Sequence, residues 1–341
     1  MRTHSYYKIA KASGIPWLLN WLFRGRLLVI AYHGIYDDIK LKRYLPNTFV
    51  HIDDMVKQLR LIKEKYNIIS PDELLNFLEC KTILPSNAAL ITFDDGYESF
   101  YHLAAPILNS LGIKVLVFLP TYYVEKQEPY WFDITWYYIT RSTHDQLIWL
   151  MNMLGLKGCN GEESIRTALL MDRIKRLTFQ SRCDIVDSMK QVILLDDEAN
   201  RLLKWSYAMN SGHVRDLADH GTIFGGHGHT HTILSVMSDS AAEKEILENK
   251  KKLEKLSCRP CRFFAYPNGS HGDFTDSHKI MLKRVGYKGA FSLTEKRFPI
   301  HGDVMDIPRT HISPDDTITS LMIRFSGMSS LIRQLSSRSR E

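Results

Sequence analysis

The sequence has little of what marks several large classes of protein. Its 341 residues include only five cysteines, a sparse and odd set that argues against a disulfide framework and indicates a reducing compartment. The formal net charge is only +6, and no long basic block is present, which disfavours a nucleic-acid partner. No internal repeat is visible. What remains is a chain with 44% hydrophobic residues, enough for a large globular core.

The two ends of the chain differ from its middle. Residues 1–26 form a basic, amphipathic segment whose apolar part, 16–23, is too short to span a membrane and lacks a small-residue cleavage site after it. We therefore expect an uncleaved, cytoplasmic protein. Trp17 and Trp21 could lie on the inner face of a membrane, but the prediction is a helix packed on the domain. Residues 317–341 are predicted to be a basic, peripheral tail.

The middle of the chain, residues 27–316, is predicted to be one catalytic domain. Apolar strand-like runs alternate with helical patterns, among them the helix that the Ser-Pro pair at Ser70 should start. Such alternation is typical of an α/β fold with a parallel sheet or barrel. Residues from about 122 to 220 break the alternation and are predicted to be a helical insertion.

Two adjacent acids follow a buried strand. Asp94 and Asp95 come directly after the apolar run 88–93 and precede a glycine. Neighbouring carboxylates repel each other unless a cation or a shared proton compensates. The pair therefore predicts a cation site, and Tyr97, just beyond it, is expected to shape the pocket.

Three histidines lie within five residues further along the chain. His227, His229 and His231 follow a glycine-rich strand end, and neutral imidazole is a common ligand of zinc and similar ions. In a helical turn His227 and His231 would share one face, whereas on a strand all three would. Two histidines and one carboxylate of the Asp94–Asp95 pair would make a three-ligand site with a position open for water. The other carboxylate could then act as general base.

These motifs resemble those of the polysaccharide deacetylases, carbohydrate esterase family 4. The family's TFDDG motif matches Thr92 to Gly96, and the resemblance implies Asp94 as general base and Asp95 as metal ligand. The family's second motif matches the histidine cluster and implies His227 and His231 as the other ligands, although Gly228 stands where Ser or Thr is usual. The implied fold is a distorted (β/α)7 barrel carrying the helical insertion.

Weaker matches extend the resemblance. Residues 265–269 are similar to the family's third motif, whose turn implies an oxyanion contact from the Asn268 amide. The arginine that usually orients the base is absent there, and Arg309 is the expected replacement. The resemblance implies His311 as the family's general acid and His33 as an early histidine that lines the site.

The resemblance implies a metal-dependent hydrolase that removes N-acetyl groups from an amino-sugar-containing glycan or its precursor in cell-envelope metabolism. Zinc is the expected ion, with cobalt, nickel or manganese as alternatives. The expected partner is the N-acetylated carbohydrate, with peripheral contact to a membrane or a lipid-linked glycan left open, as is the oligomeric state. Two rival hypotheses are an amidohydrolase using His227 and His229, and a glycan-binding module without activity.

Overall fold

The computed structural model describes residues 14–43, 45–156 and 163–328. The predictions for residues 1–13 and 329–341, the outer parts of the two terminal segments, lie outside the described residues. Cys159 does too, and the remaining cysteines are free.

The core of the protein is a parallel β-sheet. The strands of the described ranges, including a separate pair β2–β3, are Leu28–Tyr32 (β1), Ile35–Tyr36 (β2), Val50–His51 (β3), Asn67–Ile68 (β4), Ala88–Phe93 (β5), Leu116–Leu119 (β6), Ile223–Gly226 (β7), Phe263–Ala265 (β8), Gly289–Ser292 (β9), Ile307–Pro308 (β10) and Thr310–His311 (β11).

The neighbouring strands of the main sheet run in the order β10-β9-β8-β7-β6-β5-β1-β11, with β4 beside β5. All of its strand pairs are parallel, and β1 and β5 are buried along their whole length. This burial on both faces explains their unbroken apolar runs.

One short segment brings the two edges of the sheet together. Strand β10 pairs with β9, and β11, only one residue later, pairs with β1 at the other edge. Arg309 is the residue between them. The sheet is thereby nearly closed into a barrel, and the predicted α/β barrel is confirmed.

Helices surround the barrel, and the described residues between β6 and β7 are mostly helical, as predicted for the insertion. Ser70 caps its helix through a reciprocal hydrogen-bonded box with Glu73, as its sequence indicated. A π-helical turn, Phe100–Ala104, precedes one helix. The α-helices of the described ranges are Ile15–Leu22 (α1), Ile52–Lys65 (α2), Pro71–Leu78 (α3), Ala105–Ser110 (α4), Thr121–Lys126 (α5), Trp131–Arg141 (α6), His144–Met153 (α7), Glu163–Lys175 (α8), Phe179–Val192 (α9), Asp197–Leu202 (α10), Ser211–Asp219 (α11), Asp239–Ser257 (α12), Asp276–Val285 (α13) and Ile318–Phe325 (α14).

The two terminal helices depart from the sequence-based expectations. Helix α14 buries Leu321, Ile323 and Phe325, so the start of the predicted peripheral tail is part of the packed body. Helix α1 is attached to the domain as expected, since Asn20 is hydrogen-bonded to Tyr66 and Arg297. It nevertheless has no fully buried residue, and most of its large apolar side chains are exposed. Among the described residues, no helix has both the length and the apolar character needed to cross a bilayer.

Candidate active site

The predicted site residues come from different strands and meet at one end of the barrel. Asp94 and Asp95 follow β5, His227 and His231 follow β7, Asn268 follows β8, and Arg309 and His311 lie in the segment that closes the sheet. These are the carboxyl ends of parallel strands, where barrel enzymes have their active sites. The sheet therefore gathers residues that lie far apart in the chain.

Asp95, His227 and His231 form a compact group with metal-ligand geometry. The Oδ1 atom of Asp95 is 3.6 Å from Nε2 of His227 and 3.3 Å from Nε2 of His231. This oxygen is buried and has no hydrogen-bond partner. A buried, unpaired carboxylate oxygen is costly, and a cation between it and the two rings would remove that cost. The residues present fit a divalent ion of the zinc type.

The backbone and its neighbours fix the orientation of this group. Asp95 has a φ of 65° and His231 a φ of 55°, a conformation that non-glycine residues rarely adopt and that often occurs at functional sites. The Nδ1 atom of His227 lies 2.8 Å from the carbonyl oxygen of Ala265. Because a carbonyl only accepts, Nδ1 donates, which leaves the Nε2 lone pair facing Asp95.

Burial sets the charges of the group. It lowers the pKa of His227 to about 4 and that of His231 to about 3, so both rings are neutral at physiological pH. Burial also raises the pKa of Asp95 above its ordinary value, even though His33 and His227 act against it. Neutral imidazoles are the form that binds metals.

Asp94, the other member of the acid pair, is held by Arg309. The two guanidinium Nη atoms donate to the two carboxylate oxygens at 2.5 and 2.7 Å, and Nη1 also donates to the Thr92 hydroxyl at 3.2 Å. Burial alone would raise the pKa of Asp94, but the Arg309 charge outweighs it and holds the pKa well below the ordinary value. Asp94 is therefore ionised at neutral pH. Arg309 therefore contacts the predicted base, as expected, although it lies outside the third motif, between β10 and β11.

Two further histidines complete this side of the site. Nε2 of His33 is 3.8 Å from Oδ2 of Asp94, and the His33 and His311 rings are 5.0 Å apart. Burial lowers the pKa of each to about 4, so both are neutral at rest. The Nε2 atom of His311 is buried and has no hydrogen-bond partner.

The site opens into a cavity of about 310 Å³. Its floor contains the acid pair, the metal-ligand group, Asn268, His33 and His311. Its wall is supplied in large part by two helices of the insertion, α6 and α8, which contribute Trp131, Phe132, Asp133, Trp136, Met171 and Lys175. The aromatic run at 131–138 was the only signal in the sequence for this wall.

Asn268 lies in a tight turn at the cavity floor. Its φ is 62°, and its side-chain oxygen accepts a hydrogen bond of 3.0 Å from Nζ of Lys175 on helix α8. Its side-chain nitrogen donates to the Asp273 carboxylate. Both ends of the side chain are therefore engaged, and the turn is fixed next to the acid pair.

Tyr97 does not line the cavity. Its side chain is fully buried behind the wall, and its hydroxyl donates to Oδ2 of Asp133 at 2.9 Å. Burial raises the pKa of Asp133 to about 8, so this carboxyl is mostly protonated at neutral pH. Tyr97 thus shapes the pocket indirectly, by holding an insertion residue.

His229 points away from the metal-ligand group. Its Nδ1 lies 2.9 Å from the Thr121 hydroxyl and its Nε2 3.3 Å from the Glu248 carboxylate. The pair His227 and His229, which the rival amidohydrolase hypothesis requires, does not converge on one point.

Comparison with protein-family models finds a match over part of the chain. The family model for polysaccharide deacetylase matches residues 199–290, the part of the chain that holds His227, His231 and Asn268. Over these residues the chain is similar to the polysaccharide deacetylase family, as the sequence motifs indicated. The prediction of a hydrolytic N-deacetylase is thereby confirmed at the level of the family. No curated protein sequence matches the chain.

Solved deacetylase structures share the fold over most of this chain. The deacetylase PplD of Streptococcus pyogenes, in complex with acetate, is 19% identical, and the match covers 88% of this chain and 98% of that one with a TM-score of 0.54. A de-N-acetylase of Aggregatibacter actinomycetemcomitans is 15% identical, with coverages of 88% and 99% and a TM-score of 0.58. IcaB of Ammonifex degensii is 16% identical, with coverages of 89% and 97% and a TM-score of 0.53. At these identities the likeness shows the common fold.

Proposed function

We propose that this protein is a metal-dependent hydrolase that removes N-acetyl groups from an amino-sugar-containing glycan or glycan precursor in cell-envelope metabolism. The observation that carries the proposal is the contrast between Asp94 and Asp95. One carboxylate is paired bidentately with Arg309, and its neighbour directs an unpaired oxygen at two neutral imidazoles. Adjacent acids in such different environments are suited to different tasks.

Asp95, His227 and His231 would hold the ion, for which zinc is our first candidate. When bound, a divalent ion would supply Lewis acidity toward the acetamide carbonyl and toward water. The three ligands and the open cavity beside them fit a catalytic rather than a closed structural site.

Asp94 is the general base of the proposed reaction. It is ionised at neutral pH because of Arg309, so it can accept a proton from the water that attacks the acetamide carbonyl carbon. The backbone N–H of Asn268, in its fixed turn, is the proposed donor to the oxyanion that develops. The C–N bond then breaks, acetate leaves, and the sugar nitrogen takes a proton.

We assign that last proton transfer to His311. Its imidazole is neutral at rest, so it must be loaded during the cycle, and the proton taken up by Asp94 is the available source. His33 lies beside both groups. The aromatic side chains of helix α6 offer flat apolar surfaces against which a sugar ring can pack.

The proposal is tested by acetate release from a panel of N-acetylated substrates, with and without chelator. The panel contains chitooligosaccharides, nucleotide sugars and lipid-linked N-acetylhexosamines. We expect release from at least one class that a chelator abolishes and that added zinc, cobalt, nickel or manganese restores. Protein that holds a stoichiometric metal yet releases no acetate from any class would contradict the proposal.

Two neighbouring histidines provide matched variants for the metal site. His231→Ala should lose the bound metal and lower turnover by at least about 100-fold, since it removes one of three ligands. His229→Ala changes the same residue type two positions away and should keep both. The check is metal content by atomic spectroscopy together with acetate release. Loss of metal in His229→Ala alone would instead support the amidohydrolase-type pair.

A further inference from the structure

Helix α1 exposes its apolar side chains. It is eight residues long, Ile15–Leu22, and none of its residues is buried. The large apolar side chains that remain exposed, by 45% to 76% of their surface, are Ile15, Trp17, Leu18, Trp21 and Leu22. A contiguous apolar patch of this kind is uncommon on a soluble protein and marks an interaction surface.

The helix is held to the protein by its polar side. The side-chain oxygen of Asn20 accepts hydrogen bonds from the Arg297 guanidinium and, at 3.0 Å, from the Tyr66 hydroxyl. Arg297 also donates to the carbonyl oxygen of Phe23 at 3.1 Å and to that of Phe325 at 2.8 Å. The side of the helix that meets the body carries Asn20 together with the half-buried Pro16 and Leu19. The opposite side presents the exposed apolar residues to the solvent.

The chain segments that flank this helix in the sequence are basic. The first 36 residues contain five Lys or Arg, namely Arg2, Lys8, Lys11, Arg24 and Arg26, and no Asp or Glu. Arg24 and Arg26 directly follow the helix and are exposed. Residues 329–341, which follow the segment packed next to α1, contain three arginines and one glutamate. The apolar helix therefore lies between basic stretches of chain.

We propose that helix α1 is a membrane-surface anchor whose partner is an anionic lipid bilayer. The helix is too short to span a bilayer, and its two tryptophans and flanking arginines are typical of a helix that lies in the headgroup region. The cytoplasmic leaflet, with its negative surface potential, is the surface that suits this charge.

The anchor lies at the opposite end of the barrel from the active site. Helix α1 leads into the amino end of β1, and the carbonyl of Arg24 accepts a hydrogen bond of 2.6 Å from the N–H of Asn87, which precedes β5. The proposed site is at the carboxyl ends of the same strands. The anchored protein therefore has its cavity facing away from the bilayer, and a glycan would enter from the aqueous side. This last step rests on the proposed function, whereas the membrane contact does not.

Vesicle sedimentation of the full-length protein tests the anchor. We expect the protein to bind vesicles of phosphatidylglycerol and phosphatidylcholine, and to bind pure phosphatidylcholine at least tenfold less. Trp17→Glu and Trp21→Glu should each weaken binding to anionic vesicles by about tenfold or more. Leu194→Glu is the matched control, because Leu194 is 87% exposed but lies in the insertion, and it should bind as the wild type does.

Three results would overturn the proposal. The first is wild-type protein that does not bind anionic vesicles, as would follow if the chain ends cover α1. The second is unchanged binding in both tryptophan variants. The third is a dimer in sedimentation velocity that Trp17→Glu dissociates, which would assign the surface to a second copy of the chain.

The orientation of the cavity relative to the bilayer is tested separately, by comparing the activity of vesicle-bound and free enzyme. Vesicle-bound enzyme should keep the kcat/KM of the free enzyme on a soluble chitooligosaccharide, and a tenfold loss on binding would place the cavity toward the bilayer and contradict the orientation. If no substrate is turned over at all, the proposed function fails, but the vesicle-binding result still decides the anchor.

Discussion

At the scale of single residues, two adjacent carboxylates have opposite surroundings. Asp94 meets a buried guanidinium that keeps it ionised, while Asp95 lacks any donor at its Oδ1. The left-handed φ of Asp95 helps to turn the two side chains to different partners. The following glycine is required as well, since a Cβ at Gly96 would come within 1.8 Å of Leu119.

Replacement of Arg309 by methionine should destabilise the protein in a pH-dependent way. It leaves the buried Asp94 charge unpaired, which costs about 3–5 kcal/mol at neutral pH. Because Arg309 lowers the pKa of Asp94 in the folded state, its contribution is present above the ordinary carboxyl pKa and is lost as pH falls. Urea unfolding at several pH values should show a gap between wild type and variant that is largest near pH 7 and narrows toward pH 4.

A gap of equal size at both pH values would mean that Arg309 acts only through packing. Arg309→Lys is the informative companion variant, because it keeps the charge but loses the bidentate geometry. It should recover part of the stability and little of the turnover.

The residues of this site differ in how far the sequence could predict them. Asp94, Asp95, His227 and His231 lie in short local motifs, so their spacing alone pointed to a cation site. The contact of Arg309 with Asp94 spans 215 positions and depends on how the barrel closes, which no local pattern contains. It could be anticipated only through the family resemblance.

At the scale of elements, the insertion is a wall of the active site. Helix α6 contributes aromatic side chains and Asp133, and helix α8 contributes Lys175. The sequence predicted that these segments are helical, because helical periodicity is local. It could not predict which face of each helix meets the barrel, since that depends on packing between distant parts of the chain.

Asp133 should make the metal-free protein less stable as pH rises. Burial raises its folded-state pKa to about 8, so the folded state holds a proton that the unfolded chain loses near its ordinary pKa, and stability falls between these two values. Asp133→Asn removes this titration and can still accept the Tyr97 hydrogen bond. We compare the two proteins after chelator treatment. The free energy of unfolding of Asp133→Asn, relative to that of the wild type, should rise by roughly 1 kcal/mol per pH unit between pH 5 and pH 8.

Thermal or urea unfolding curves collected across this pH range provide the check. Curves for wild type and Asp133→Asn that stay parallel would show that Asp133 is already ionised in the folded protein. The Tyr97→Phe variant is a suitable control, because it removes the hydroxyl donor but leaves the carboxyl in its buried position.

At the scale of the whole molecule, the segment that closes the barrel also completes the site. The segment 307–311 pairs with both edges of the sheet, and Arg309 lies at the seam where it reaches Asp94. The alternation of apolar runs and helical patterns predicted a parallel sheet or barrel, and the family resemblance implied the barrel. The exposed side of helix α1 was only an alternative in the sequence analysis, since an apolar run normally predicts burial.

In the proposed reaction, Asp94 acts as the general base and Asp95 as a metal ligand. The most direct test is to measure metal content and acetate release in the same preparations of Asp94→Asn and Asp95→Asn. Asp94→Asn should retain one equivalent of metal and lose at least about 100-fold in turnover, as expected for removal of a general base. Asp95→Asn should lose the metal and, with it, turnover. Wild-type turnover in Asp94→Asn, or full metal binding and activity in Asp95→Asn, would contradict the account.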